Sequence, residues 1–255
     1  MPDQSTINSP NILLRLLGSP GIHGPDGALS GPVVHRHRLA LLALLAAAPK
    51  GILARDRVLG LLWPETDTAS ARRLLNNAVH VVRQVLGDDV VITEGEGLRF
   101  DAAKLRVDVL EFEAAVKRGE ALAAVELYTG PFLDGLSLPD AVEFEQWQER
   151  ERERLERLYY VALERLAEAT EREQGAAEAL LWWRRRLACT PADGRIVLRL
   201  MRALGDAGDR AGALQVATAH TALLREEFGA AADTQVEGLA EQLRRASAGA
   251  GYQGE

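Results

Sequence analysis

Residues Ala69–Leu86 read ASARRLLNNAVHVVRQVL. At roughly 100° per residue, this stretch predicts a two-faced helix. Leu74, Leu75, Ala78, Val79, Val81, Val82, Val85 and Leu86 cover one broad side. Arg73, Asn76, Asn77, His80, Arg83 and Gln84 share an arc of about 120° on the other. The outer arc holds no acid, unlike the mixed charges of an ordinary solvated helix. Arg, Asn and Gln are the side chains that make bidentate hydrogen bonds to base edges. An apolar back and an amide and basic front are what a helix entering the major groove requires.

Upstream, Ile12–Leu17 (ILLRLL) reads as a buried strand, and Gly, Pro and Asp then punctuate the chain to Pro32 as short hairpin strands and turns. Arg38–Ala48 predicts one helix, stopped by Pro49-Lys50-Gly51, and Ala54–Leu62 a second, ended by Trp63-Pro64. Thr68 or Ser70 is expected to cap the third helix, which Gly87-Asp88-Asp89 closes. Val90–Thr93 and Leu98–Phe100 flank Glu94-Gly95-Glu96-Gly97 as a hairpin. Three helices with a polar-faced third, then a hairpin, is the order of a winged helix-turn-helix. The strand-rich lead is that of response-regulator output domains.

From Val107 the chain predicts nearly continuous helix. Asp108 is expected to cap Val109–Lys117, Gly119 to break it, and Ala121–Tyr128 to follow. A turn-rich insert, YTGPFLDGLSLPD (residues 128–140), carries Phe132, Leu133, Leu136 and Leu138 as apolar anchors. Ala141–Glu173 is a long charged helix whose Glu/Arg run reads as a solvated face laced by i,i+4 pairs. GAAEAL at Gly175–Leu180 aligns with DRAGAL at Asp209–Leu214, 34 residues later. Such an offset suits stacked tetratricopeptide-like helix pairs, none of which buries its apolar face alone. Adjacent Trp182 and Trp183 point about 100° apart, so one is expected between repeat helices and the other at a partner surface. The expected fold is mainly α: a disordered N-terminus (1–11), a winged helix-turn-helix with small β-sheets (12–107), an all-α tetratricopeptide-like domain (108–246) and a flexible tail (247–255).

The chain has 255 residues, 47% of them hydrophobic, enough for one large core or two small ones. Its net charge of −7 is uneven. Residues 1–107 hold 12 Lys/Arg against 10 Asp/Glu, and residues 108–255 hold 18 against 27, which suggests two modules with different partners. A single cysteine, Cys189, excludes an internal disulfide and points to a reducing cytoplasm. No apolar run reaches the roughly 18 residues of a membrane span. His35, His37 and His80 lack the neighbouring carboxylates or cysteines of a metal site. Asp140, Glu143 and Glu145 sit in a charged helix without a pocket signal. No metal, cofactor or enzymatic activity is therefore expected.

Eight motifs in order resemble the SARP-type antibiotic-pathway regulators, with their OmpR-like winged helix and bacterial transcriptional activator domain (BTAD). They are LLWP (Leu61–Pro64), ARRLL…VVRQVLGDD (Ala71–Asp89), VDVLEFE (Val107–Glu113), LYTGPFLDG (Leu127–Gly135), LPDAVEFEQW (Leu138–Trp147), ERERL (Glu151–Leu155), LRLMRALGDAGDRAGAL (Leu198–Leu214) and LLREEFG (Leu223–Gly229). The resemblance spans about Ile12 to Leu243. It implies a nucleoid-associated regulator that binds promoter direct repeats in double-stranded DNA and recruits RNA polymerase holoenzyme, with monomer and homodimer on DNA both open. Larger relatives append an ATPase or further repeats; this chain has no G-x-x-x-x-G-K-[ST], which suits a small stand-alone regulator or a fragment. Arg73, Asn77 and His80 lie nearest the centre of the outer arc and are the expected base readers. Asn76, Arg83 and Gln84 flank them, and Arg72 at the edge suits a phosphate. Arg55 and Arg57 on the second helix and Arg99 on the wing are second-rank phosphate candidates. Glu94 and Glu96 in the wing turn motivate an alternative: a protein-interaction adaptor with a degenerate winged helix.

Overall fold

The computed structural model describes residues 12–250, with side chains through Arg245. The expected disorder of residues 1–11 lies outside them, as does the tail over 251–255. Strands β1 (Leu13–Arg15), β2 (Gly21–Gly24) and β3 (Gly27–Ala28) form an antiparallel meander. Helix α1 (Arg36–Ala47) buries every residue from Leu39 to Ala46. A helix apolar on all sides belongs at the centre of a core, and α1 packs there against its successors. Strand β4 (Ile52–Ala54) precedes α2 (Arg55–Leu62) and α3 (Thr68–Leu86). The sequence reading placed Ala54 in the second helix and missed this strand. Three residues carry no period of their own, and the partner lies beyond α3 in the chain.

That partner belongs to the wing. Strands β5 (Val91–Glu94) and β6 (Gly97–Phe100) pair with Glu94 opposite Gly97, leaving Gly95-Glu96 as the turn. Gly95 has φ 57°, in the left-handed region where glycine costs least. β4 completes a sheet ordered β4-β6-β5, with Leu53 opposite Leu98. Strand β7 (Arg106–Val107) then returns to run parallel to β1, giving a second sheet ordered β3-β2-β1-β7.

Helix α4 (Asp108–Arg118) opens directly from β7. Asp108 is its first residue rather than its cap, and its carboxylate is buried. Both oxygens accept from the Leu16 N–H, at 2.8 and 2.9 Å; the Leu17 N–H donates at 2.9 Å and the Val109 N–H at 2.7 Å. Burial pushes this carboxyl up to about 6, against the pull of those N–H groups. The same Leu16–Gly18 segment pairs with the turn-rich insert that follows α5 (Ala121–Leu127). Leu133 N–H donates to Leu16 O at 2.8 Å, Gly18 N–H to Pro131 O at 2.9 Å, and Thr129 Oγ1 to Leu17 O at 2.6 Å. Phe132, Leu133, Leu136 and Leu138 are buried, as the sequence predicted for them. Gly18 has φ 85°, and a Cβ there would meet Thr129 Oγ1 at 3.1 Å, so glycine is required at this close approach.

Helix α6 (Val142–Glu173) follows, and the chain divides into two compact units between Leu158 and Tyr159, inside it. The expected boundary at 107/108 marks the change from strand to helix, but contacts do not thin there. β7, Asp108 and the insert all hold the N-terminal segment. The second unit contains α7 (Ala176–Cys189), α8 (Gly194–Asp206), α9 (Arg210–Phe228) and α10 (Thr234–Ala250). Residues 247–250, expected in a flexible tail, continue α10. The starts of α7 and α9 carry the 34-residue offset read from the sequence. Trp183 is buried with Ile196, Met201, Leu204 and Ala213, and its Nε1 donates to Glu171 at 3.2 Å. Trp182 packs partly against the same core, so it is not the exposed partner-surface residue expected.

Among the described residues of this unit, one arginine, Arg186, is buried. Arg186 donates to Glu164 at 2.9 Å and to Thr190 Oγ1 at 2.5 Å, lies 3.6 Å from Asp193 and stacks over the Tyr160 ring at 4.5 Å. It thereby ties α6, α7 and the start of α8. Without Arg186, Glu164 keeps Arg195 at 2.8 and 2.9 Å, so the loss is of a buried tie and its packing and not of all charge compensation. Arg186→Ala is expected to lower the stability of residues 159–250 by about 2 kcal/mol, read as a lower urea midpoint by helical circular dichroism.

Asp108 supplies a pH test. A carboxyl whose pKa is raised on folding favours the folded state at low pH, and that contribution is lost as pH rises through the folded value near 6. Asp108→Asn cannot titrate and sets an NH2 against N–H donors. The wild type is expected to be more stable than this variant by about 2 kcal/mol at neutral pH. That lead should grow by about 1 kcal/mol on going from about pH 7 to about pH 5, measured by urea titration of both proteins.

Candidate nucleic-acid interface

Asp67 caps α3, accepting the Ser70 N–H at 3.0 Å. Neither Thr68 nor Ser70, the residues expected from sequence, does so. The Ser70 N–H holds the Asp67 carboxyl below its usual range. Ser70 instead accepts from Arg73 Nη2 at 2.8 Å. The buried face of α3 comprises Ala71, Leu75, Ala78, Val79, Val82 and Leu86. Leu74 and Val85, assigned to that face by periodicity, are exposed. Their side chains fall at the edge of the apolar arc, about 80–100° from Leu75.

Arg72, Arg73, Asn76, Asn77, His80 and Gln84 are exposed, and Arg83 is half-buried. Two arginines from earlier helices frame this face. Arg38 of α1 donates to Asn77 Oδ1 at 2.9 Å and to Pro32 O at 2.7 Å. Arg55, the first residue of α2, donates to Asn76 Oδ1 at 3.0 Å and to Thr93 Oγ1 at 3.4 Å. Arg83 closes the far side through Val91 O at 2.7 Å and Thr93 Oγ1 at 3.3 Å. Thr93 on β5 is thus a hub joining α2, α3 and the wing. The Oδ1 atoms of Asn76 and Asn77 thus each accept from an arginine, which leaves each NH2, and one remaining lone pair on each oxygen, for a base edge.

The second-rank candidates separate. Arg55 joins the face. Arg57 turns instead to Glu143, at 2.8 Å, and Arg99 to Glu94, at 2.7 Å. Arg72 stands 3.9 Å from Asp56, both strongly exposed, an ion pair that competes weakly with any stronger anion. Sequence reasoning missed Arg38 and Thr93. The basic run His35-Arg36-His37-Arg38 at the start of α1 was the available signal for the first. His37 stacks on Trp63 with ring centroids 5.4 Å apart, and burial together with Arg36 and Arg38 lowers its pKa. Among the described residues, no three His, Cys, Asp or Glu side chains converge on a metal-sized site, and no helix is long and apolar enough to cross a membrane.

A buried central helix, a second short helix, a third with an exposed amide and basic face, and a β-hairpin define a winged helix-turn-helix. Here it is followed by helical pairs. The family model "Bacterial transcriptional activator domain" matches residues 100–244, and the chain belongs to that family. The solved structure of Mycobacterium tuberculosis EmbR in complex with a low-affinity phosphopeptide has the same fold. Its TM-score is 0.67 at 19% identity, and the match covers 92% of this chain and 65% of that one. This chain therefore spans just under two thirds of that protein's length. No curated protein matches the chain.

The cap decides whether the first turn of α3 holds Arg72 and Arg73 in place. Asp67→Ala is expected to speed amide hydrogen exchange at Ser70 and Ala71, while the buried turns around Val79 and Val82 keep their protection.

Proposed function

We propose that the chain is a sequence-reading transcriptional activator that binds double-stranded promoter DNA through α3. Residues 12–107 are the reading module, and residues 108–246 supply the surface that recruits RNA polymerase holoenzyme. Direct repeats in the promoter would seat two copies. The reading rests on one observation above all: the exposed face of α3 carries Arg73, Asn76, Asn77, His80 and Gln84 with no acid among them. Arg38 and Arg55 flank it on either side. Family membership agrees with the reading. Action in the cytoplasm, on the nucleoid, follows from it.

Roles divide by position. Arg73, Asn77 and His80 reach base edges. Arg72, Arg55 and Arg38 lie where phosphates would pass the edges of α3. A lost base contact costs about 1–3 kcal/mol and relaxes specificity, whereas a lost phosphate contact weakens all sequences alike.

A second reading has its own support. Arg99, the wing's basic residue, is tied up by Glu94, and Glu96 stands in the wing turn. On that reading the winged helix is a scaffold and the chain is a protein-interaction adaptor. Selection of bound sequences from random double-stranded DNA with the full chain decides between them. A repeated motif is expected, with its affinity reduced at least tenfold by Arg73→Ala combined with Asn77→Ala. Arg72→Ala is expected to weaken every sequence to the same degree. Absence of sequence-dependent binding at low salt, with unchanged transcriptional output when Arg73, Asn77 and His80 are all replaced by Ala, would establish the adaptor.

A further inference from the structure

The exposed face of α3 is asymmetric. The flank nearest α2 and β5 carries Arg72, Asn76 and Arg83 beside Arg55 and Thr93. The opposite flank carries Leu74, Val81 and Val85, which fall within about 40° of one another around the helix. Leu74 is 45% exposed and Val85 37%, and Val81 is half-buried.

Whatever covers Leu74 must also satisfy hydrogen-bond donors. Arg73 is its neighbour in sequence, and Asn77, an exposed amide whose Oδ1 accepts from Arg38, lies one turn on. Three side chains fall far short of the roughly 800 Å² per partner that a stable protein interface buries. The major groove does offer a lone apolar group among acceptors, the C5-methyl of thymine beside base and phosphate oxygens. The N-terminal half of a recognition helix is the part that reaches base edges. Leu74 lies in that half, and Val85 lies in the last turn of α3.

Resting on the DNA-reading proposal above, we propose that Leu74 reads a thymine through its 5-methyl group and sets specificity at that base pair. Arg73 and Asn77 anchor the helix beside it. Leucine at this exposed position is then a readout residue, not a leftover of the core face.

Exchange of thymine for deoxyuridine removes only that methyl. Each thymine of the motif selected by the wild-type chain is exchanged in turn, and affinity is measured for the wild type and for Leu74→Ala. Alanine suits an exposed helical position, so the fold is retained. One exchange is expected to weaken the wild type by about fourfold and to leave Leu74→Ala unchanged. Selection with Leu74→Ala should lose the preference at that position alone. If every exchange affects both proteins equally while the wild type still binds its motif, this inference is overturned and the DNA-reading proposal stands. If the wild type binds no sequence preferentially, the DNA-reading proposal fails and takes this inference with it.

Discussion

One buried carboxylate organises the first half of the molecule. Asp108 accepts the N–H groups of Leu16, Leu17 and Val109, and so joins the end of the first strand to the start of α4. Taking a carboxylate out of water is costly unless hydrogen bonds replace the lost solvation. Three backbone donors do so here, though burial still raises the carboxyl to about 6. The geometric consequence is larger than the energetic one. Residues that precede the winged helix and residues that follow it are held together, by β7 alongside β1 on one side and by the 129–134 turn on the other. The winged helix and the opening helices of the activator family domain are therefore one compact unit. The family match itself begins at residue 100, inside the wing and before Asp108.

The candidate interface follows from how arginine is used within that unit. Arg38 and Arg55 reach α3 from earlier helices and occupy the Oδ1 atoms of Asn77 and Asn76. Each amide oxygen is then partly engaged, and its NH2 takes no part in those bonds. The face is rich in hydrogen-bond donors even though residues 1–107 carry only 12 Lys/Arg against 10 Asp/Glu. A surface of this kind depends less on bulk electrostatic attraction, and more on directed hydrogen bonds, than a strongly basic one. Arg57 and Arg99 show the opposite use, since each is matched to a glutamate and contributes little net field.

Much of this was legible in the chain. The outer arc of α3 was read residue by residue, and each of its members is exposed or half-exposed. The hairpin around Gly95, the apolar anchors from Phe132 to Leu138 and the 34-residue helical offset were legible for the same reason. Each is written in nearest-neighbour patterns of apolar residues and glycines. The misses have separate causes. β4 and β7 are three and two residues long and exist through partners distant in sequence. Asp67 was overlooked as the cap because Thr68 and Ser70 offered equally good chemistry one and three residues later. Leu74 and Val85 were assigned inward because a wheel reports the angle of a side chain and not how far the neighbouring helices extend.

The pattern of residues along the chain specifies a helical protein with a winged lead and repeated helix pairs, and with it which side of α3 is polar. Those properties depend on local periodicity, which a linear chain displays directly. Long-range packing brings Asp108 to Leu16 and Leu17, sets Arg38 and Arg55 rather than Arg57 and Arg99 beside the polar face, and leaves Leu74 outside the core. Each of these is a meeting of groups far apart in the chain, selected by strand register and by which burials can be satisfied at once.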